Sequence, residues 1–268
     1  MSLREKWRSF RRKLRWLDPF TYVDEFVMPV VNPRNSEVLA WAVYILSALV
    51  FAWAFYALLG FVLSTPTPIM IVVSGSMEPL MHRGDLVLVQ GVQAEQLKGQ
   101  QVPYGSSLEK VPLHSFATTL CSHFNETERQ SPCVEFFPEF REGPPYGFET
   151  VGIHLIDDRE IFFDREGDII IYRSPTKNED IIHRVLLKVI ADDTYLLTKG
   201  DNQKTNPFLD QEIIGGAAIS PYLVRADSIN GKAVLFVPLI GCAKLWLFDD
   251  LSSLVLRGRL PEEFRGIC

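Results

Sequence analysis

Hydrophobic and polar positions divide the chain into distinct regimes. From Val38 to Thr65 the sequence VLAWAVYILSALVFAWAFYALLGFVLST holds 28 residues and no charge. As a helix rising ~1.5 Å per residue it exceeds the ~30 Å hydrocarbon core of a bilayer, so the pattern predicts a transmembrane helix over 38–65. A cleavable signal peptide has a shorter apolar run behind a shorter leader than the 37 residues found here. After Pro66 the pattern changes to short Val/Ile-rich runs split by turn residues. IMIVV (69–73), LVLVQ (86–90), EIFF (160–163), DIIIY (168–172), IIHRVLLKVI (181–190), TYLLT (194–198) and KAVLFV (232–237) read as strands of a mainly β domain. Residues 91–159, rich in Gln, Ser, Pro and Glu, break this series and are expected to form an inserted subdomain of loops and short elements. The stretch 233–256 is apolar but interrupted by Pro238, Lys244, Asp249 and Asp250. Each charge at a bilayer centre costs about 2.5–3.5 kcal/mol, which disfavours a second span. A final strand followed by an amphipathic segment over 242–268, able to rest on a membrane, is expected instead.

Charge sharpens this division. The net charge of −6 argues against a nucleic-acid binder with a globally basic surface. It also averages over opposite ends. Residues 1–15 hold seven basic side chains (Arg4, Lys6, Arg8, Arg11, Arg12, Lys13, Arg15) against Glu5 alone, whereas residues 66–268 hold 19 basic against 28 acidic. By the positive-inside rule the basic segment 1–37 stays in the cytoplasm and the domain after Pro66 lies outside it. The basic segment reads equally as an amphipathic helix on the inner leaflet, with Trp7, Phe10, Leu14 and Trp16 as its apolar contacts, or as a solvated tail that only sets topology. Four cysteines are too few for a disulfide scaffold and lack zinc-site spacing. Cys121 and Cys133 fall on the oxidising side of this topology and read either as a bridge or as two thiols. Asn125-Glu126-Thr127 fits a glycosylation sequon.

Candidate chemistry lies at strand ends. Ser76, in Ser74-Gly75-Ser76-Met77-Glu78-Pro79, follows an apolar strand and precedes turn-prone residues, which exposes its hydroxyl. A nucleophilic serine also needs a base within reach and donors for the oxyanion. His183, in an otherwise apolar strand, supplies a base, although alone it reads as a buried core histidine. Thr198-Lys199-Gly200-Asp201-Asn202 leads into Asn206-Pro207-Phe208-Leu209-Asp210, where each aspartate alone is an ordinary turn former. His82 reads as a surface turn residue, and His114, His123 and His154 show no metal-like spacing.

Taken together and in order, SGSMEP (74–79), GDLVLV (84–89), GDIIIYR (167–173), IIHRV (181–185), TKGDN (198–202) and NPFLD (206–210) resemble the successive boxes of type I signal peptidases. GKAVLFVPLIG (231–241) resembles the end of that family's catalytic domain. The resemblance covers the membrane anchor and residues 66–90 and 160–241, and not 91–159. His183 stands where bacterial and mitochondrial members have lysine, so the chain is more similar to the archaeal and endoplasmic-reticulum branch, whose members have histidine and an aspartate further along.

The resemblance implies a signal-peptidase-like, mainly β catalytic domain with one N-terminal transmembrane helix and an inserted subdomain. It implies a Ser-His-Asp endopeptidase without cofactor or metal. Ser76 is then the nucleophile and His183 the base. Asp210 is the acid and Asp201 a supporting residue, but the Asn-Pro-x-x-Asp context comes about three residues late, with Gln203-Lys204-Thr205 looking inserted, so the reverse assignment stays open. The Ser76 backbone N–H and the Ser74 hydroxyl are the implied oxyanion donors. The implied substrates are secretory preproteins with signal peptides, cleaved after small residues by a single-pass protein of the cell or reticulum membrane that works beside the secretion translocon. Two other readings remain: a membrane-anchored β domain that binds secretory or envelope proteins without cutting them, and a protease specialised for a narrow set of envelope proteins.

Overall fold

The computed structural model describes residue 15 and residues 18–125, 130–214, 216 and 218–260. Trp7, Phe10, Leu14 and Trp16, and Glu126 and Thr127 of the sequon, lie outside the described residues. The chain forms two compact units, Met1–Val62 and Leu63–Cys268.

In the first unit a short helical run, Pro19–Tyr22, Val23–Val27 and Met28–Val31, starts at Asp18, whose side chain accepts from Phe20 N at 3.0 Å. Such a cap satisfies one of the backbone donors left free at a helix start. Asn32 then closes the turn, donating from Nδ2 to Ser36 O and accepting from Ser36 N, both at 2.8 Å. The uncharged stretch becomes one helix, Glu37–Leu63, long and apolar enough to cross a membrane and with no buried residue. Tyr44 and Phe51 meet Phe20 of the preceding helical run, and the rest of the helix, apolar all round and unburied, suits a lipid environment. It stops at Ser64, which takes a positive φ of 53°.

The second unit is mostly β. Its strands are β1 (Ile69–Ile71), β2 (Leu86–Gln90), β3 (Gln101–Pro103), β4 (Ala117–His123), β5 (Ser131–Pro132), β6 (Phe148–Leu155), β7 (Glu160–Phe162), β8 (Ile169–Arg173), β9 (Asp180–Ile190), β10 (Thr194–Lys199), β11 (Val224–Arg225) and β12 (Ile229–Val237). Among the described residues they make two sheets. An eight-stranded sheet runs β1-β2-β12-β8-β9-β10-β11, with β3 added in parallel to β9, and a four-stranded sheet runs β5-β4-β6-β7. All other pairings are antiparallel, which lets short loops connect neighbours.

The four-stranded sheet departs from the expected loops and short elements of residues 91–159. Within that stretch β4 has seven residues and β6 eight. Their sequences, ATTLCSH and FETVGIHL, hide strand character because Thr119, Ser122, Glu149 and Thr150 are buried polar residues that spoil the alternation. Nor does the whole stretch go to one sheet, since β3 pairs with β9 of the large sheet. Cys121 and Cys133 are disulfide-bonded. Leu186, Leu187, Val189, Tyr195, Leu197 and Leu209 from the side of the large sheet pack with Phe116, Ala117, Ile153 and Leu155 of the small one in a shared core. A second cluster, Val72, Met77, Met81, Val87, Val89, Ile169 and Ile171, lies beneath the turn that carries Ser76.

After β12 the chain coils through Cys242–Lys244, Leu245–Asp250 and Leu251–Arg257. Leu245 and Asp250 are buried, while Trp246, Leu247, Phe248, Val255 and Leu256 are exposed.

Candidate active site

Strand β1 ends at Ile71, but the next residue stays tied to the sheet. Val72 N donates to Asp85 O at 2.9 Å and Val72 O accepts from Gly84 N at 2.8 Å. The chain then turns through Ser74-Gly75-Ser76, and Met77 and Met81, each 1% exposed, sink into the core below. Burying those methionines anchors the turn and leaves the serine hydroxyls on the open side. Ser74 Oγ and Ser76 Oγ lie 3.3 Å apart.

The turn is clipped from across the molecule. Asn202 N donates to Ser76 O at 2.9 Å, and Asn202 Nδ2 donates to Gly75 O at 2.8 Å. The end of β10, opposite the bulge that Leu186 makes in β9, brings this clip close. A methyl group on Gly200 would sit 2.6 Å from Ser76 O and 3.1 Å from His183 Nε2, so only glycine permits the approach. Ser76 and His183 line one cleft of about 500 Å³. Met70, Ile182 and Asn206 also face it, and so does Ser74.

His183 sits on β9 opposite Ile170 of β8 and is 2% exposed. Its Nδ1 lies 2.8 and 2.7 Å from the two carboxylate oxygens of Asp210, itself 2% exposed. Asp210 Oδ2 also accepts from the Tyr172 hydroxyl at 2.8 Å and from Thr198 Oγ1 at 2.7 Å. A buried carboxylate is tolerated when its lone pairs are filled in this way. The network extends one shell further. Gln211 Nε2 donates to Thr198 Oγ1 and Gln211 Oε1 accepts from Thr198 N, both at 3.0 Å. Burial, and then the charge of Asp210, push the Tyr172 phenol above its ordinary range, so it remains a donor. The backbone fixes the same register, with Asp210 N donating to Thr198 O at 2.9 Å. The shift in pairing between Leu197 and Thr198 is a bulge, the device by which strands re-aim a side chain beside a site.

Asp201 goes elsewhere. Its carboxylate takes Arg184 Nε at 2.8 Å and Nη2 at 2.6 Å, and Arg184 Nη1 donates to Gly167 O at 2.8 Å. The fork-shaped contact with Asp201 raises the Arg184 guanidinium further still. Lys199, next to Gly200, is buried and its ammonium donates to Glu149 Oε2 at 3.3 Å and Gly200 O at 3.1 Å. Burial pushes its pKa down, with Glu149 opposing, and Lys199 does not line the cleft.

Arg83 Nε donates to Val73 O at 3.2 Å, and its Nη2 pairs with Asp250 Oδ1 at 2.8 Å in a buried ion pair that ties the C-terminal coil to the serine turn. Of the remaining histidines, His82 is exposed, His123 meets Glu139 at 3.0 Å, and His154 meets Glu160 at 3.4 Å. Among the described residues no His, Cys, Asp and Glu group is arranged to hold a metal.

Sequence reasoning passed over Tyr172, Thr198, Gln211 and Asn202 as site residues. Tyr172 and Asn202 carried a signal, a lone hydroxyl in the apolar run IIIYR and an amide closing the box TKGDN. Thr198 and Gln211 carried none, because their partners are set by the bulge and by the loop that follows it.

No protein-family model matches the chain. An uncharacterized protein of Methanocaldococcus jannaschii is 30% identical over 191 residues, covering 69% of this chain and 86% of that protein. The signal peptidase complex catalytic subunit sec11 of Schizosaccharomyces pombe is 27% identical over 212 residues, 79% of this chain and 83% of the subunit. The SEC11 subunit of Colletotrichum graminicola is 27% identical over 223 residues, 82% of this chain and 86% of the subunit.

Proposed function

The chain belongs to the type I signal peptidases of the endoplasmic-reticulum and archaeal branch, and we propose that it is a membrane-anchored serine endopeptidase that removes signal peptides from secretory precursors through Ser76, His183 and Asp210. The observation that carries this reading is the 2.7 Å contact of His183 Nδ1 with Asp210, beside a cleft lined by both His183 and the Ser76 turn.

Ser76 Oγ attacks the carbonyl carbon of the scissile bond while His183 Nε2 takes the hydroxyl proton. Asp210 holds the Nδ1–H tautomer and stabilises the imidazolium that forms. Collapse of the tetrahedral intermediate breaks the C–N bond, and His183 delivers its proton to the departing amine. Water, deprotonated by the same imidazole, then hydrolyses the acyl-serine and frees the enzyme. The Ser76 N–H and the Ser74 hydroxyl are the proposed oxyanion donors, and losing one such donor costs about 2.7–4 kcal/mol of transition-state stabilisation. Asp201, paired with Arg184, acts as a support for the loop and not as the acid.

The substrate enters as an added strand on the open edge of β1, with small side chains selected on either side of the cleavage point. Residues 91–159 are read as an addition to the catalytic part formed by 66–90 and 160–241, and 242–268 as a C-terminal amphipathic segment. The helix Glu37–Leu63 anchors the protein, with the basic segment before it in the cytoplasm, the catalytic part outside and the secretion translocon nearby.

Detergent-solubilised wild type and Ser76→Ala, incubated with a precursor bearing a standard signal peptide, test the reading by mass spectrometry of the products. Cleavage after a small residue by wild type alone is expected. If neither protein cuts a panel of precursors that an authentic peptidase cuts, and a fluorophosphonate fails to label Ser76, the proposal is wrong.

A further inference from the structure

Besides its shared core with the large sheet, the four-stranded sheet and the segment between β5 and β6 hold one loop, the stretch from β10 to Asp210. Ten residues lie between Lys199, the last of β10, and Asp210, and a loop of that length does not by itself hold a carboxylate within the ~0.5 Å that a working site needs. Here the loop is fastened along its length. Tyr146 N donates to Lys204 O at 2.9 Å, and Thr150 N on β6 donates to Pro207 O at 2.7 Å. Thr119 Oγ1 on β4 donates to Glu212 Oε1 at 2.7 Å, just beyond the aspartate.

Between these fastenings the Phe208 ring, 7% exposed, enters a cluster with Phe136, Phe148 and the bonded Cys121 and Cys133. Its centroid lies 5.8 Å from that of Phe137, 5.1 Å from Phe140 and 5.5 Å from Phe148, within the range of favourable aromatic pairs. Phe208 stands two residues before Asp210 and does not line the cleft.

We infer that the four-stranded sheet is the device that positions Asp210 against His183, and that Phe208 is the positioning residue through which it acts. The extra length of the loop and the sheet then belong together: Pro207 supplies the carbonyl that β6 grips, Lys204 the one held by Tyr146 just before β6, and Phe208 supplies the plug. This inference rests on the proposed role of Asp210 as the acid. Phe208 itself touches no reacting atom.

The test uses the full chain in detergent micelles, comparing wild type with Phe208→Ala, Phe208→Leu and Phe148→Leu. Two readouts separate positioning from stability. The first is kcat and KM on a precursor peptide; the second is the Nδ1–H resonance of His183 in 15N-histidine-labelled protein, assigned with His183→Ala. Phe208→Ala is expected to lower kcat by about 10- to 100-fold with KM changed by less than about twofold, and to erase or shift the Nδ1–H signal. Phe208→Leu refills part of the cavity and restores part of both. Phe148→Leu, from the sheet side, reproduces the effect more weakly. Should Phe208→Ala fail to fold, the two leucine variants carry the same comparison. Variants that melt earlier but keep the wild-type kcat and His183 signal would overturn the inference. If wild type cuts no precursor, the protease reading fails separately, because the His183 resonance reports the Asp210 contact without turnover.

Discussion

Gly200→Ala is the most direct test of how closely the two halves of the site are packed. The added methyl would lie 2.6 Å from Ser76 O, 3.1 Å from His183 Nε2 and 3.2 Å from Asn206 Cγ. Real Cβ atoms essentially never come closer than 3.0 Å to such neighbours, so the serine turn must retreat by about 0.4 Å or more. It is not free to do so. Ser76 O and Gly75 O are both held by Asn202, two residues beyond the substitution, so the push and the clip act on the same turn from the same loop. Overpacking of this kind costs about 1–3 kcal/mol. For a unit of this size that lowers Tm by roughly 2–12 °C. Displacement of the nucleophile from its base is the larger functional effect, about 10- to 100-fold in kcat, since misplacements near 1 Å reach a hundredfold. The assay is steady-state cleavage of a precursor peptide alongside the rate of fluorophosphonate labelling of Ser76, with circular dichroism recording the fold. Both rates should fall together while KM changes little. A variant with wild-type kcat and labelling rate would refute the close approach of Gly200 to the serine turn, whatever happened to Tm.

Exchanging the two aspartates separates their roles. Asp210→Asn should lower kcat by about 10⁴-fold, the loss seen when a triad acid can no longer hold the base in its correct tautomer. Asp201→Asn should leave kcat within about tenfold of wild type and act mainly on melting temperature, through Arg184; the opposite ranking would hand the acid role to Asp201. Stability should also carry a pH signature from Glu212, whose carboxyl is pushed up to about 7 by burial from an ordinary 4.5. Between those values the folded chain binds more protons at this site than the unfolded chain does, so this contribution weakens as pH rises from 4.5 to 7 and is flat above. Glu212→Gln should remove that slope and raise stability at pH 8 by up to about 3 kcal/mol, read from Tm at several pH values. An unchanged slope would mean that the carboxyl is solvated.

What the sequence revealed follows from where its chemistry repeats. Strands β8 and β9 were legible because DIIIY and IIHRVLLKVI concentrate apolar, largely β-branched residues, buried on both faces over Ile169–Tyr172 and Val185–Val189. The uncharged stretch before Pro66 was legible for the same reason, as composition without exceptions. Strands β4 and β6 were hidden because Thr119, Ser122, Glu149 and Thr150 are buried with polar partners, and partners are not a property of a window of sequence. At the site, Ser76, His183 and Asp210 could be nominated from turn chemistry, side-chain type and family resemblance. The choice of aspartate facing the imidazole depended on a bulge in β9 at Leu186, opposite the step from Leu197 to Thr198, which no spacing announces. Asn202 illustrates the limit most plainly. It reads as a turn former and does accept from Lys204 N and Asn206 N, yet its own backbone N–H and side-chain amide donate to Ser76 and Gly75, 126 and 127 positions earlier in the chain.

The edges of the large sheet have a consequence for what can be cut. Strand β1 is an outermost strand, and β10 joins β9 only from Arg184 onward, which leaves Asp180 to His183 paired with β8 alone. Residues of both half-paired edges border the cleft beside Ser76. On the proposed reading, backbone amides and carbonyls of these two edges would take an extended polypeptide by its main chain before any side chain is read. A coiled segment has already committed those same groups to itself and would find nothing to exchange there. Conformation would then be the first filter: under strand addition the stretch to be cut must unwind before it is recognised, and a precursor that stays wound across its cleavage point would be refused even when its side chains fit.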